Sequence, residues 1–155
     1  MHPDRRRKID LNQRCETDDD DAEKEDREDC GTVTGISKFL KSKNPAVRVI
    51  AVQPSPGHDV PGIRNVSELD VSQLFDPSLV DEILEIDFEL AYTVAAELAR
   101  HEGLRAGPSS GLIFEGARRT ALQSPVPHGV MIFCDDVFKY ASNMLKHVPG
   151  LVAEP

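Results

Sequence analysis

Val47-Arg48-Val49-Ile50-Ala51-Val52 decides the fold class of this chain. The run is nearly continuously apolar and rich in β-branched side chains, which crowd a helix and sit well on a pleated sheet. Apolarity on successive residues, instead of every second one, is the pattern of a strand buried on both faces of a parallel sheet. Upstream, Ile36, Phe39 and Leu40 recur at helical spacing until Asn44-Pro45 stops the helix. Downstream, residues 53–80 form a connector rich in turn formers (Pro54, Pro56, Gly57, Pro61, Gly62, Pro77), and connectors of this length are more often functional than idle. Leu84 and Ile86 mark a second short strand. Asp87 is placed to cap a helix that carries Phe88, Ala91, Val94, Ala95 and Leu98 on one stripe, and Gly103 closes it in a left-handed cap. Ser109-Ser110 open a further helix through Ala121, Gly129-Val130-Met131-Ile132-Phe133 reads as a third strand, and Val137, Tyr140, Ala141, Met144 and Leu145 give a last helix its apolar face. The alternation predicts an α/β fold: a partial layered sheet, mostly parallel, flanked by helices.

At 155 residues the chain has room for one compact domain. With 18 basic against 27 acidic side chains it carries a formal charge of −9, which argues against nucleic acid and against an anionic membrane surface as partners. No stretch approaches the roughly 20 apolar residues that span a bilayer, and no apolar core follows the basic residues of 1–10, so a soluble, cytoplasmic protein is expected. Cys15, Cys30 and Cys134 are odd in number and widely spaced, with no CxxC pair, which speaks against a disulfide framework and a cysteine zinc site. Residues 1–30 differ in kind: Arg5-Arg6-Arg7-Lys8, then Asp18-Asp19-Asp20-Asp21, then mixed charges to Asp29. So little there can enter a core that a disordered charged tail is expected, followed by one domain over 31–148 and a flexible end at 149–155. His2, His58, His101, His128 and His147 show no metal-ligand spacing, and no GxSxG elbow is present.

Six segments in order resemble one family. Gly31-Thr32-Val33-Thr34-Gly35-Ile36-Ser37-Lys38-Phe39-Leu40 is similar to the second half of the glycine- and threonine-rich loop, and the following helix, of cysteine synthases and cystathionine β-synthases. Val47–Val52 falls where that family has its next strand, with Gln53-Pro54 in place of its usual Glu-Pro. His58-Asp59-Val60-Pro61-Gly62-Ile63 resembles the segment with an internal Pro-Gly-Ile, Leu79-Val80-Asp81-Glu82 follows in family order, Ala106-Gly107-Pro108-Ser109-Ser110-Gly111 looks like the serine-glycine turn, and Ile132-Phe133-Cys134-Asp135-Asp136 the strand and polar turn after it. The resemblance covers roughly residues 30–148.

It implies the C-terminal part of a fold type II enzyme that uses pyridoxal phosphate, with an incomplete large domain. The family holds the cofactor phosphate on backbone N–H groups at a helix start, where unpaired donors and the helix dipole favour an anion. Gly31 and Thr32 are what remains of that loop here, and Thr34 adds a hydroxyl; Ser109 matches the serine at the pyridine nitrogen. Read without the resemblance, the first site is a helix start capped by a threonine, Ser109 and Ser110 are N-caps, and Gly62 is a turn glycine. Where the family pattern has glycine-threonine-glycine, this chain has Glu28, Asp29 and Cys30, which puts carboxylates beside the phosphate. The family's Schiff-base lysine lies far upstream of the glycine-rich loop, in a region with no counterpart here. Lys38, Lys41, Lys43, Lys139 and Lys146 read as solvated charges on helices. A truncated cysteine synthase relative, inactive alone, is therefore expected; the alternatives are half of a split enzyme, or a regulatory partner docked on an intact homologue. Homo- or hetero-oligomers with an intact family member and a small amino-acid substrate are the implied partners.

Overall fold

The computed structural model describes residues 30–68, 75–124 and 128–151. Helix α1, Gly31–Lys43, opens the described chain. Strands β1, Ile50–Pro54, and β2, Glu82–Ile86, pair in parallel with Ile50 opposite Glu82 and Pro54 opposite Ile86. Ser55 N–H donates to the Ile86 carbonyl and Asp81 N–H to that of Val49, which extends the ladder at both ends. The first strand thus starts three residues later, and ends two later, than the Val47–Val52 expectation. It is also half-buried instead of covered on both faces, because among the described residues β1 and β2 form a sheet of two strands.

Helix α2, Phe88–Glu102, is bounded as its sequence dictates. The Asp87 carboxylate accepts from the N–H groups of Glu89 at 2.9 Å and Leu90 at 3.3 Å, and Gly103 takes φ 68° at the other end. Leu104 N–H then returns to the Leu98 carbonyl, which fills an acceptor that the helix end leaves open. Helix α3, Pro108–Gln123, crosses α2 at a distance that only glycine permits. A Cβ on Gly111 would lie 2.1 Å from the Ala91 carbonyl oxygen and 2.8 Å from the Ala95 nitrogen. Further along, a Cβ on Gly116 would meet Val52 Cγ2 at 2.7 Å, so α3 rests on β1 as well. Around this crossing Ile86, Ala91 and Leu112 form one buried cluster; Val60, Tyr92, Ala95, Ala96 and Met144 form a second, and Val94, Leu98 and Ala106 a third. Glu115 is buried at 2% exposure under bidentate Arg118 and a further bond from Arg119, which hold its carboxyl below the usual range.

Two expectations need correction. Residues 129–133 do not form a strand: Val130 is 92% exposed, and the nearby pairing is an isolated antiparallel bridge between Ala106 and Asp136. A β-branched run becomes a strand only beside another strand, and no strand neighbours it among the described residues. The last helix is shorter than its apolar pattern, with a 3₁₀ turn at Val137–Tyr140 before α4, Ala141–His147, and a second turn at Pro149–Leu151.

At the other end of the chain, α1 starts from Cys30 with φ 57°, a left-handed conformation, without a side-chain cap. The threonine cap expected from sequence is therefore absent, and a cysteine occupies backbone geometry that suits glycine.

Two substitutions check this packing. Gly111→Ala should cost about 3 kcal/mol or more in chemical denaturation, because two backbones must separate, whereas Gly35→Ala, with nothing within 4 Å of the added methyl, should be neutral or stabilising by about 0.5–1 kcal/mol. Equal effects at both positions would contradict the close crossing. Cys30→Gly should raise stability by roughly 0.5–1 kcal/mol, relief of left-handed strain outweighing the added chain entropy; a loss would show that the strain is not there.

Candidate functional site

The start of α3 gathers the site. Gly107 precedes the helix with extended φ −74° and ψ 174°, and Pro108 fills the first helical position, where its preset φ fits and a missing N–H costs nothing. The helix therefore begins one residue before the Ser109-Ser110 doublet, and neither serine is its N-cap. They occupy the first turn, where N–H groups lack intrahelical acceptors. Ser110 and Gly111 N–H groups lean on the Gly107 carbonyl at 3.0 and 3.2 Å. Ser109 is 7% exposed. Its hydroxyl makes no hydrogen bond to any described residue, and Ser110 Oγ is fully buried with no partner. A buried hydroxyl without a partner costs about 1–3 kcal/mol. Ser110 Oγ carries that cost inside the helix start, whereas the Ser109 hydroxyl, in a first turn with no acidic side chain, is left to offer a donor beside the positive end of the helix dipole.

The approach to that turn is braced from behind. Gly107 N–H donates to the Asp135 carbonyl at 3.0 Å, and a Cβ on Gly107 would sit 3.1 Å from the Tyr140 ring. The Tyr140 hydroxyl donates to Asp135 Oδ2 at 2.6 Å, with Lys139 at 3.3 Å from Oδ1, and together these bonds depress the Asp135 carboxyl. Burial, then the bond to Asp135, pushes the Tyr140 phenol up.

Gly31, Thr32 and Thr34 lie on a different scaffold. They form the first turn of α1, again without an acidic side chain, and α1 packs chiefly against the turn at Pro77–Leu79, whereas α3 packs on α2, β1 and β2. Thr34 Oγ1 accepts from Asp76 N–H at 3.3 Å, so this hydroxyl holds the connector and retains its own proton for donation. Thr32 is exposed and Gly31 half-buried. Glu28 and Asp29 lie outside the described residues. Gly62 has φ 83° and serves as a turn glycine. Among the described residues no group of three or more His, Cys, Asp or Glu is arranged to hold a metal, and no helix is long and apolar enough to cross a membrane.

Sequence reasoning treated Ser110 as a second cap and missed its orphaned hydroxyl, since the doublet alone does not reveal which turn position each serine takes. It also missed a cluster of Asp59, Tyr92, Lys146 and His147, whose members stand up to 88 residues apart.

Comparison with known proteins places these features. Residues 28–135 match the family described as pyridoxal-phosphate dependent enzyme. Cysteine synthase B of Salmonella typhimurium is 39% identical over 112 residues, which is 72% of this chain and 37% of that protein; its Escherichia coli counterpart is 38% identical over the same share. Among solved structures, O-ureido-L-serine synthase superposes with a TM-score of 0.65 at 27% identity, covering 77% of this chain and 40% of that one. An O-acetylserine dependent cystathionine β-synthase from Helicobacter pylori follows at 0.61 and 31%, covering 73% and 39%. The chain thus spans little more than a third of the length of the curated relatives it matches.

Pyridoxal phosphate fits the residues present. The Ser109 hydroxyl has no hydrogen-bond partner among the described residues, and the Thr34 hydroxyl keeps a proton to donate, chemistry compatible with a ring nitrogen and a phosphate. By its match over residues 28–135, this chain belongs to the pyridoxal-phosphate dependent enzymes and carries a partial fold type II domain.

Proposed function

We propose that this chain furnishes the nitrogen-facing and phosphate-facing walls of a pyridoxal-phosphate site for β-replacement on an activated serine, the chemistry of cysteine synthesis. The lysine that anchors the cofactor aldehyde comes, in this reading, from polypeptide outside these 155 residues, so the chain alone is inactive. The single observation behind the reading is Ser109 at the start of α3, a residue 7% exposed whose hydroxyl has no hydrogen-bond partner among the described residues. When bound, the cofactor would supply an electron sink for the α-carbon, next to the β-carbon that loses the leaving group. Ser109 meets the ring nitrogen as a neutral hydroxyl and leaves it without a full positive charge, a weaker pull than a carboxylate partner gives and one suited to elimination and replacement at the β-carbon. The N–H groups at the α1 start hold the phosphate as a helix start holds an anion, and Thr34 fixes the connector while donating to the same side.

Relatives named cysteine synthase B, N-(2-amino-2-carboxyethyl)-L-glutamate synthase and O-acetylserine dependent cystathionine β-synthase support an amino-acid substrate with a leaving group on its β-carbon. The exposed apolar run Val130-Met131-Ile132 favours a second reading, in which this chain docks on an intact homologue and regulates it.

Reconstitution separates the two. The purified chain mixed with pyridoxal phosphate should show no borohydride-fixed adduct on its own lysines. Addition of the part of Salmonella cysteine synthase B that lies outside the matched segment should bring visible cofactor absorbance and cysteine formation from O-acetylserine and sulfide. Ser109→Ala should then lower turnover at least about tenfold, as loss of a positioned transition-state hydrogen bond does. An adduct on the lone chain contradicts the proposal, and association without gained activity favours the regulatory reading.

A further inference from the structure

The connector between β1 and β2 is fastened by a cluster that the cofactor reading leaves unused. Asp59 Oδ2 accepts from Lys146 Nζ and lies 3.1 Å from His147 Nε2, both on α4. The Asp59 carbonyl accepts from the Tyr92 hydroxyl of α2. The His147 ring stacks on Tyr92 with centroids 4.2 Å apart and planes at 21°, and meets the edge of Phe88 at 5.8 Å. The next residue, Val60, is 3% exposed and packs with Tyr92, Ala95, Ala96 and Met144. One connector residue therefore touches two helices through its side chain and its backbone. The glycine turn at Gly62 follows directly.

We propose that Asp59 and His147 form a pH-sensitive latch that fastens residues 58–63 to α2 and α4, tight when His147 is protonated and looser when it is neutral.

Three charged or titratable groups face this contact among the described residues: Asp59 from the connector, Lys146 from α4 and Tyr92 from α2. Bonds from Lys146 and then His147 hold the Asp59 carboxyl below its usual range, so it stays ionised at neutral pH. Burial pushes the Tyr92 phenol up to about 12, so it remains a neutral donor. Histidine is the side-chain type whose charge changes between about pH 5 and 8. Below that change the bond to Asp59 is charge-assisted; above it the bond is a neutral one, while Lys146 remains to keep the contact from vanishing.

His58 is the nearby histidine that must be set apart. Its Nδ1 accepts from Val60 N–H at 3.2 Å, so the ring proton sits on Nε2, 3.5 Å from Glu68 Oε2. Glu68 in turn accepts from the N–H groups of Gly57 and Asn65, and Arg64 adds to its surroundings. The latch stands on this geometry and is independent of the cofactor reading.

Amide exchange of the full chain, corrected for intrinsic rates, tests it. Between pH 5.5 and 8.0 the protection of the amides of Asp59, Val60, Gly62 and Ile63 should fall about fivefold, the difference between a charge-assisted and a neutral hydrogen bond. His147→Gln should hold the lower level at both pH values, and so should Asp59→Asn, which keeps the test open if the first variant folds poorly. His58→Asn, whose amide oxygen still accepts from Val60 N–H, should keep the wild-type dependence. Protection that does not vary with pH in the wild type, dependence that survives in His147→Gln, or dependence lost in His58→Asn would overturn the latch.

Discussion

The approach of α3 to α2 at Gly111 is the constraint on which the rest of the structure depends. The missing side chain lets two backbones come within reach that a single methyl would block, and Ala91 and Ala95 on the facing helix keep the groove shallow enough to accept it. Helix packing at such a distance sets direction as well as position. With Gly111 seated on α2 and Gly116 on Val52, two points of α3 are fixed five residues apart, and its first turn has no freedom to swing. The donors of that turn are consequently preorganised, which is what a site must be if binding is not to spend its free energy on ordering the protein.

Charge fastens what packing leaves loose. Lys41 reaches Asp81 and the Val47 carbonyl, so α1 is tied across the sheet to the start of β2. Asn65 bonds the Pro54 carbonyl at 2.8 Å and Gln53 Oε1 accepts from Val66 N–H, so the connector is sewn to the end of β1 by amide side chains. Exposed ion pairs of this kind contribute little each. Their value here is geometric: a connector whose described part holds only short 3₁₀ turns is given a defined path past the sheet, and Asp59 and Asn65 are residues through which that path is held.

Much of this was legible in the sequence because it depends on local chemistry. Asp87 as a cap and Gly103 as a left-handed stop follow from rules about single helix ends, and both stand in the structure where they were expected. The parallel pairing of two apolar runs across a long connector followed from their composition. The family, too, was readable, because the order of short motifs carries information that each motif lacks. What local chemistry does not contain is partnership. Among the described residues Val130 to Phe133 has the composition of a strand and no strand beside it, Ser110 is a helix residue whose hydroxyl finds no acceptor, and Asp59 meets His147 only through the fold. Cys30 shows the opposite case: its left-handed backbone stands at a position where the family pattern has glycine, and the residue type gave no sign of it.

Two helix starts, on two scaffolds, are the cradle that this account assigns to one cofactor. The most direct measurement is an amide NMR titration of the chain with pyridoxal phosphate. The account predicts amide shifts that cluster at residues 31–34 and at 107 and 109–111, with the response at the α3 start abolished in Ser109→Ala. Shifts confined to one of the two helix starts, or spread over surface lysines with both starts unmoved, would contradict it.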